Sequence, residues 1–364
     1  MITISLCMIV KNEEDIIERC LNSVSNIVDE IIIVDTGSTD HTKELCKKYT
    51  DKIYDFEWID DFSAARNYAY SFATMDYTLW LDADDIILPE DNIKFLELKQ
   101  TLDPGINAVM MKYNTGFDLR GNTVFSYYRE RLAKRDAKFQ WKEPVHEFFQ
   151  VYGRTINSDI AITHGKPPGE AHKTRNLEIY EKIKNRGIPL SPRGTYYYAR
   201  ELKDHGKIAE AILQFEEFLA SGLGWVEDNI TACSELAKCY REINHSEKSL
   251  MAMFRSFVYD TPRAELCCQI AYYYQEKEDY KRAAFWFELI LTLKRPADSW
   301  GFVQPDCWDF IPLIESSVCY DHLGDYKKAE EYNNRALLIK PYSVAALRNQ
   351  AYFKSKQSKL EGNC

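Results

Sequence analysis

Short apolar runs alternate with amphipathic segments along roughly the first eighty residues, and this alternation constrains the fold more than any other feature of the chain. Runs rich in Ile, Val and Leu are typical of strands buried on both faces, and apolar residues at helical spacing between them predict crossover helices. Predicted strands cover residues 2–10, 30–35, 52–58 and 78–81, and predicted helices cover about 15–24, 40–49 and 63–73. The rhythm predicts an α/β fold with a parallel sheet between helices. Further strands at 108–113, 124–132, 138–141 and 160–164 make the predicted sheet mixed but mostly parallel.

Polar side chains stand where these predicted strands end. Lys11 and Asn12 follow the first strand, Asp35 ends the second, and Asp82 and Asp84 follow the fourth. In open α/β sheets ligands bind at the carboxyl ends of the strands, so these side chains predict a site. Two carboxylates separated by one small residue are hard oxygen ligands that suit Mg²⁺ or Mn²⁺. An ion there would neutralise a departing diphosphate.

Several other classes of protein are excluded by what the sequence lacks. No Gly-x-x-x-x-Gly-Lys-Ser/Thr loop is present, which excludes a P-loop enzyme. The first strand is followed by Lys-Asn-Glu-Glu rather than by a glycine-rich turn, which argues against dinucleotide-binding domains and sugar nucleotidyltransferases. The net charge of −10 argues against a general nucleic-acid binder. Ten cysteines without a Cys-x-x-Cys pair, and the lack of a signal peptide or an apolar span of membrane length, predict a cytoplasmic protein with no transmembrane segment.

Four motifs in the first half of the chain carry a family resemblance. They lie at Ile4–Glu14, Ile31–Asp40, Phe62–Asn67 and Trp80–Asp85. In order and spacing they resemble the family 2 glycosyltransferases, in the subgroup that carries tetratricopeptide repeats and includes bacterial peptide and envelope-sugar transferases. The resemblance covers about residues 1–165. It implies the GT-A fold, a nucleotide-sugar donor, a divalent Mn²⁺ or Mg²⁺ ion, and displacement with inversion at the sugar.

The resemblance also assigns roles to individual residues. Asp35 would contact the uracil or ribose, Asp82 would lie near the ribose and the metal, and Asp84 would be the direct metal ligand. Lys11 stands where the family commonly has Tyr, so its stem would pack on the base or its ammonium would reach a phosphate. The residues expected to bind the nucleotide-sugar are Val10, Lys11, Asn12, Glu13, Asp35, Ser38, Arg66, Asn67 and Asp82.

The acceptor side of the expected site falls in Trp141–Glu147, which resembles the corresponding segment of the subgroup. Inverting transfer needs a base that takes the proton of the attacking acceptor. Glu147 and His146 are the candidate catalytic residues, and a structural His-Glu pair is the alternative. His164 ends an apolar strand and is expected to complete the metal site with Asp84 and Asp82, because a neutral imidazole is a good Mn²⁺ ligand. The alternative is a histidine satisfied at a strand end.

Helical repeats replace the strands from about residue 190. Equivalent turn positions occur at Gly206, Asn244, Glu278 and Gly324, each followed by a small residue at helical spacing, and this matches the 34-residue tetratricopeptide pattern. The last interval is longer and predicts an insertion at 297–306, and residues 342–356 predict a capping helix. The predicted domains are a GT-A domain at 1–170, a helical linker at 171–190, and an all-α array of tetratricopeptide-like repeats at 191–364.

Mapping the repeat onto the sequence predicts a concave groove that is basic and aromatic and suits an extended peptide, with a solvated helix face as the alternative. The groove residues are Tyr196, Arg200, Lys203, Lys238, Arg241 and Tyr272. The sequence therefore predicts an inverting, metal-dependent glycosyltransferase that moves a glucose- or N-acetylglucosamine-type sugar from a UDP-sugar to a protein or peptide held partly by the repeats. One alternative is a transferase for an envelope glycan or lipid-linked sugar, and another is an inactive scaffold. Donor sugar, acceptor atom and oligomeric state stay open.

Overall fold

The computed structural model describes residues 1–117, 121, 123–165, 174–295 and 304–361, with the backbone alone for residues 124 and 357–361. The chain divides into two compact units, Met1–Pro189 and Leu190–Cys364. The helix Arg175–Asn185 belongs to the first unit. The predicted insertion lies mostly outside the described residues, as do the first three residues of the predicted linker.

The first unit is built from ten strands and five helices among its described residues. The strands are β1 (Ile4–Val10), β2 (Glu30–Asp35), β3 (Ile53–Asp55), β4 (Tyr77–Trp80), β5 (Asp85–Ile86), β6 (Ala108–Phe117), β7 (Thr123–Lys134), β8 (Trp141–Lys142), β9 (Phe148–Phe149) and β10 (Thr155–His164). The helices are α1 (Ile17–Val24), α2 (Thr42–Cys46), α3 (Phe62–Tyr70), α4 (Pro89–Thr101) and α5 (Arg175–Asn185).

Eight strands form one sheet in the order β3-β2-β1-β4-β7-β6-β10-β5. Its first four strands are parallel, β7 runs antiparallel to both of its neighbours, and β10 is parallel to β6. The sequence prediction of a mixed, mostly parallel sheet between helices is confirmed. The sheet is held by a core of Ile, Leu, Val and Met side chains from β1, β2, β4 and β6 packed on α1 and α4.

The register of this sheet brings the polar strand ends together. Val10, the last residue of β1, is paired with Asp35, the last residue of β2, and Cys7 of β1 is paired with Trp80 of β4. At the opposite end of the strand order, His164 of β10 is paired with Asp85 of β5. The carboxyl ends of β1, β2 and β4 therefore meet at the same edge of the sheet.

The strand predicted at 138–141 is largely absent. Residues Arg135–Ala137 form a 3₁₀ turn, and Lys138 has a left-handed backbone with φ of 53°, which an extended strand does not tolerate. Extended pairing resumes only at β8, which joins β9 in a separate two-stranded ladder. The predicted third strand is likewise shorter than expected, because β3 is confined to Ile53–Asp55.

The second unit is an array of helices, as the sequence predicts. Its helices are α6 (Pro192–Asp204), α7 (Ile208–Ser221), α8 (Val226–Glu242), α9 (Ser246–Arg255), α10 (Ala264–Glu276), α11 (Tyr280–Ile290), α12 (Phe310–His322), α13 (Tyr326–Ile339) and α14 (Val344–Glu361). The four turn positions of the repeat, Gly206, Asn244, Glu278 and Gly324, all have positive φ, between 58° and 82°. A left-handed residue that ends a helix explains why glycine or asparagine stands at three of these four positions.

Small residues at the start of each second helix allow the paired helices to approach closely. Ala211, Ala283 and Ala329 have no exposed surface, and Ala336 is buried in the same way later in α13. A larger side chain at these positions would overfill the packed core. Nowhere in the part of the chain that the structure describes does a helix combine the length and apolar character that a membrane crossing requires.

Glu30, at the start of β2, is a buried carboxylate surrounded by donors. It accepts hydrogen bonds from the ammonium of Lys52, from the hydroxyl of Ser5 and from the backbone N–H of Thr74 at 2.9 Å. Burial disfavours the charged carboxylate, but these donors outweigh burial and lower the pKa of Glu30 to about 2.

We expect this carboxylate to make the protein sensitive to acid. Because the folded pKa lies below the ordinary value of 4.5, the stabilisation is fully present above about pH 4.5 and is lost as the pH falls toward 2. Urea unfolding of the parent and of Glu30→Gln across this range should show a steeper loss of unfolding free energy in the parent. Equal slopes for the two proteins would contradict the expectation.

Candidate active site

Hydrogen bonds tie the loops that follow β1 and β2 into one surface. The Asp35 carboxylate accepts from the backbone N–H groups of Gly37 at 3.3 Å and Ser38 at 3.0 Å. The Ser38 hydroxyl accepts from the N–H of Asn12 at 3.0 Å, and the Asn12 side chain accepts from the N–H of Thr39 at 2.8 Å. Gly37 and Asn12 have φ of 101° and 54°, so both loops turn sharply at the sheet edge.

The structure thus brings together the residues of these two loops that the sequence predicts to bind the nucleoside, although they differ in how much of each side chain is exposed. The side chain of Val10 is buried in the core, so only its backbone can line a pocket. Lys11 and Asn12 are exposed, and Glu13 is partly exposed with its N–H bonded to the Thr42 hydroxyl at 2.7 Å.

The acidic turn after β4 is fixed by its own hydrogen bonds and by a buried arginine. The N–H of Asp82 donates to the Asp85 carboxylate at 3.0 Å, and the N–H of Asp85 donates to the Asp82 carbonyl at 3.0 Å. Arg131 donates to Asp85 Oδ2 at 2.8 Å and to the Trp80 carbonyl at 3.2 Å. Neither Arg131 nor Asp85 has any exposed side-chain surface, so a fully buried ion pair holds the turn in place.

Three potential metal ligands converge on this turn. Ligand atoms of Asp84, Asp85 and His164 all lie within 4.8 Å of one another, and His164 Nδ1 is 3.4 Å from Asp84 Oδ1. Asp85 Oδ1 is buried and accepts no hydrogen bond from the described residues. Two carboxylates and an imidazole match the donor preferences of Mn²⁺, so the residues fit a divalent cation. They would hold it through Asp84 and His164, with Asp85 close by.

This group overlaps the predicted metal site without being identical to it. Asp84 and His164 are among the residues predicted from sequence, whereas Asp85 is not, although it directly follows Asp84 in the same motif. The Asp82 carboxylate lies outside the group, and its Oδ1 accepts a hydrogen bond from Arg66 at 2.8 Å. A metal contact of Asp82 stays a prediction.

Arg66 links the acidic turn to the segment that the sequence predicts to lie on the acceptor side. It reaches from α3 and donates through Nη2 to Asp82 and through Nε to Glu147, both at 2.8 Å. Its guanidinium carbon lies 5.0 Å from the centroid of the Trp80 ring and 4.6 Å from that of the Trp141 ring. Burial disfavours its charge, but the carboxylates of Asp82 and Glu147 outweigh burial and raise the pKa of Arg66 above its ordinary value. The arginine stays cationic and holds both carboxylates in place.

Asn67, the residue after Arg66 in α3, binds the backbone of Trp141. Its side chain accepts from the backbone N–H of Trp141 at 2.9 Å and donates to the Trp141 carbonyl at 3.0 Å. Both ends of the amide are thereby engaged with β8, so Asn67 fastens β8 to α3. The expected contact of Asn67 with a diphosphate or sugar stays a prediction.

The two candidate bases sit differently. Glu147 is mostly buried and accepts from Arg66, which orients its carboxylate. His146 has φ of 53° and its ring stacks near Tyr180, with ring centroids 6.5 Å apart. Glu147 is linked directly to the arginine that also holds Asp82, and which of the two residues is the base stays a prediction.

His164 is held between two polar groups. Its Nδ1 lies 3.1 Å from the Tyr113 hydroxyl, and a hydrogen bond to Asp84 raises the pKa of the imidazole above its ordinary value. The Tyr113 ring packs on the guanidinium of Arg131, so Tyr113 contacts both His164 and Arg131.

The residues of the predicted acceptor groove lie in the second unit, and most of their charges are paired there. Lys203 and Lys238 both bind Glu235, which lowers its pKa against the opposing effect of burial. Tyr196 is buried in the helical core, and Arg200 stacks over it. Arg241 lies 3.9 Å from Glu276, and the Tyr272 hydroxyl bonds to Glu315 at 3.4 Å.

A cavity of about 320 Å³ opens among α8, α10 and the start of α12. Arg200, Lys238 and Arg263 line it together with three carboxylates, Glu227, Glu235 and Glu265. Among the described residues that line this cavity, positive and negative groups are balanced, whereas the sequence predicts a basic groove.

Comparison with known proteins agrees with this architecture. Residues 5–161 match the family described as glycosyl transferase family 2, and residues 264–296 and 314–343 match the tetratricopeptide repeat. The chain belongs to glycosyl transferase family 2 and carries tetratricopeptide repeats after its glycosyltransferase unit.

Three curated relatives illustrate the match. An uncharacterized glycosyltransferase of Rickettsia bellii is 35% identical over 211 residues, which cover 55% of this chain and 67% of the relative. The SPbeta prophage-derived glycosyltransferase SunS of Bacillus subtilis is 30% identical over 222 residues, covering 58% of this chain and 51% of SunS. A TPR repeat-containing protein of Synechococcus elongatus is 46% identical over 149 residues, covering 40% of this chain and 35% of that protein. The chain thus spans about a third to a half of the length of the latter two relatives.

Proposed function

We propose that the protein is an inverting, divalent-metal-dependent glycosyltransferase that uses a UDP-sugar donor. The observation that carries the proposal is the convergence of Asp84, Asp85 and His164 at the same sheet edge as Asp35. Membership of glycosyl transferase family 2 supports the same reaction class. A bound Mn²⁺ or Mg²⁺ would supply positive charge that stabilises the departing diphosphate.

The donor would be held by the loops after β1 and β2. The backbone of Val10–Glu13 offers a polar wall at the strand ends, which suits a uracil and its ribose. Asp35 is buried and binds the N–H groups of Gly37 and Ser38, and a contact of its carboxylate with the uracil or ribose is part of the proposal. Lys11 is exposed and has the length to pack on the base or reach a phosphate. Asp84 and His164 would hold the metal, and Arg66 would keep Asp82 oriented toward the ribose.

Glu147 would act as the base that takes a proton from the acceptor. Arg66 fixes one of its carboxylate oxygens at 2.8 Å, so the carboxylate is oriented before an acceptor arrives. The acceptor would be a protein or peptide, because tetratricopeptide repeats commonly bind polypeptides. The mixed charge of the cavity among α8, α10 and α12 suits a polypeptide that carries both signs of charge. An envelope glycan or lipid-linked sugar is the alternative acceptor.

Donor hydrolysis tests the proposed chemistry without knowledge of the acceptor. Purified protein incubated with UDP-glucose or with UDP-N-acetylglucosamine and Mn²⁺ should release UDP slowly, and chelation of the metal should stop the release. If neither donor is bound or hydrolysed under any metal condition, a scaffold function is favoured instead.

The acceptor class needs a separate measurement. Mass spectrometry of polypeptides encoded beside the gene, produced with and without the enzyme, should show a fixed hexose or N-acetylhexosamine addition on one of them. If donor hydrolysis occurs but no polypeptide is modified, the glycan acceptor is favoured.

A further inference from the structure

Gly165 lies where the end of β10 meets the acidic turn. Its N–H donates to the Asp84 carbonyl at 2.7 Å, and its own carbonyl accepts from the Arg19 guanidinium at 3.0 Å. It directly follows His164 in the chain. One residue therefore connects the backbone of one expected metal ligand to the backbone of the other.

The pairing that joins these two segments is short. β5 has only two residues, and its contact with β10 consists of His164 opposite Asp85 and Thr163 opposite Ile86. Beyond that ladder, the bond from Gly165 to the Asp84 carbonyl continues the contact by one more residue. The distance between Asp84 and His164 thus depends strongly on how closely Gly165 approaches the turn.

A side chain on Gly165 would prevent this approach. A Cβ atom there would lie 2.9 Å from the Asp84 carbonyl oxygen and 2.5 Å from Nη2 of Arg19. The arginine end is exposed and can move away, whereas the carbonyl belongs to a turn fixed by Arg131 and Asp85. Relieving the contact with the carbonyl would need a shift of roughly half an ångström, comparable with the tolerance of a functional site.

We propose that Gly165 is a positioning residue that sets the spacing between the metal ligands Asp84 and His164. The inference rests on the proposed function, because it presupposes a divalent cation at these residues. Glycine is required at position 165 by the close approach to a backbone carbonyl, since no Cβ can occupy that space. Arg19 supports the arrangement by holding the Gly165 carbonyl on the outer side.

Titration of the full chain with Mn²⁺ alone, followed by electron paramagnetic resonance, tests this role without any sugar donor. Gly165→Ala is expected to weaken Mn²⁺ binding by about ten- to one-hundred-fold, as loss of groups that orient metal ligands does elsewhere. Arg19→Ala, which keeps the glycine, is expected to weaken it by about two- to ten-fold. Gly105→Ala is the matched control, because the three atoms nearest to a Cβ there would be side-chain atoms of Asp103 and Arg154, and it should bind Mn²⁺ as the parent does.

The double variant Arg19→Ala with Gly165→Ala identifies which contact matters. It removes the arginine contact and leaves the contact with the Asp84 carbonyl, so Mn²⁺ binding should stay at least as weak as in Gly165→Ala. Restored binding in the double variant, or parent-like binding in a Gly165→Ala protein whose thermal unfolding shows that it is folded, would overturn the inference. If the parent itself binds no Mn²⁺, the proposed function fails at its metal site, which is a different result.

Discussion

Asp84→Ala is expected to reduce sugar transfer and donor hydrolysis by at least about 10³-fold and to remove measurable Mn²⁺ binding. Asp84 is the carboxylate nearest to His164, with Oδ1 of Asp84 and Nδ1 of His164 3.4 Å apart. Its neighbours in the turn are already engaged, Asp82 with Arg66 and Asp85 with Arg131. Asp85 Oδ1 accepts no hydrogen bond from the described residues, but the Asp85 side chain is fully buried, whereas that of Asp84 is partly exposed. Neither neighbour is therefore expected to replace Asp84, and the loss should be large. UDP release from the donor and Mn²⁺ titration would measure it.

Asp159→Ala provides the comparison for this substitution. Asp159 is an exposed carboxylate in β10 that pairs with Lys112 outside the site, so its loss should leave Mn²⁺ binding and turnover close to those of the parent. If Asp84→Ala remained as active as the parent while folded, the metal site would have been placed on the wrong residues.

Glu147→Gln is expected to lower the turnover number for transfer by about 10²- to 10⁴-fold with little change in Mn²⁺ binding. An amide can still accept the hydrogen bond from Arg66 Nε, so the local geometry is preserved while the proton acceptor is lost. The alternative base is tested in the same assay by His146→Gln. If Glu147 is the base, the histidine variant retains most of its turnover, and the opposite ranking would assign the base to His146.

Glu130→Gln separates a catalytic effect from the loss of a buried ion pair. Glu130 resembles Glu147 in its surroundings, since its side chain is 12% exposed against 16% for Glu147, and it pairs with Arg129 beside Trp80. Both variants should lose stability, because Glu147→Gln weakens a pair with the buried Arg66 and Glu130→Gln weakens a pair with the partly buried Arg129. Only Glu147→Gln should lose turnover beyond the loss of folded protein. Equal turnover in both variants would show that Glu147 is a structural partner of Arg66 and is not the base.

Much of the fold could be predicted from local patterns. The strand Glu30–Asp35 and the helical repeats follow from apolar periodicity and from turn residues that leave a local signal. The strand expected at 138–141 could not be excluded in this way, because the left-handed backbone of Lys138 is set by the surrounding structure and by no glycine in the sequence. The pairing of Lys203 with Glu235 could not be predicted either, since it depends on how α6 and α8 pack, whereas Lys238 and Glu235 form a local pair within α8.

The sequence by itself determined that carboxylates end the strands, because a buried strand must stop where its apolar run stops and the next residues are polar. It also determined that a repeat array follows, because a period of about 34 residues permits little else. Only the tertiary structure decided which carboxylates share a site. Strand order and register depend on contacts between residues that are distant in the chain. These contacts bring His164 to Asp85 and Arg66 to both Asp82 and Glu147. Spacing along the chain carries no information about such pairing, which is fixed by the energy of packing and of neutralising buried charge.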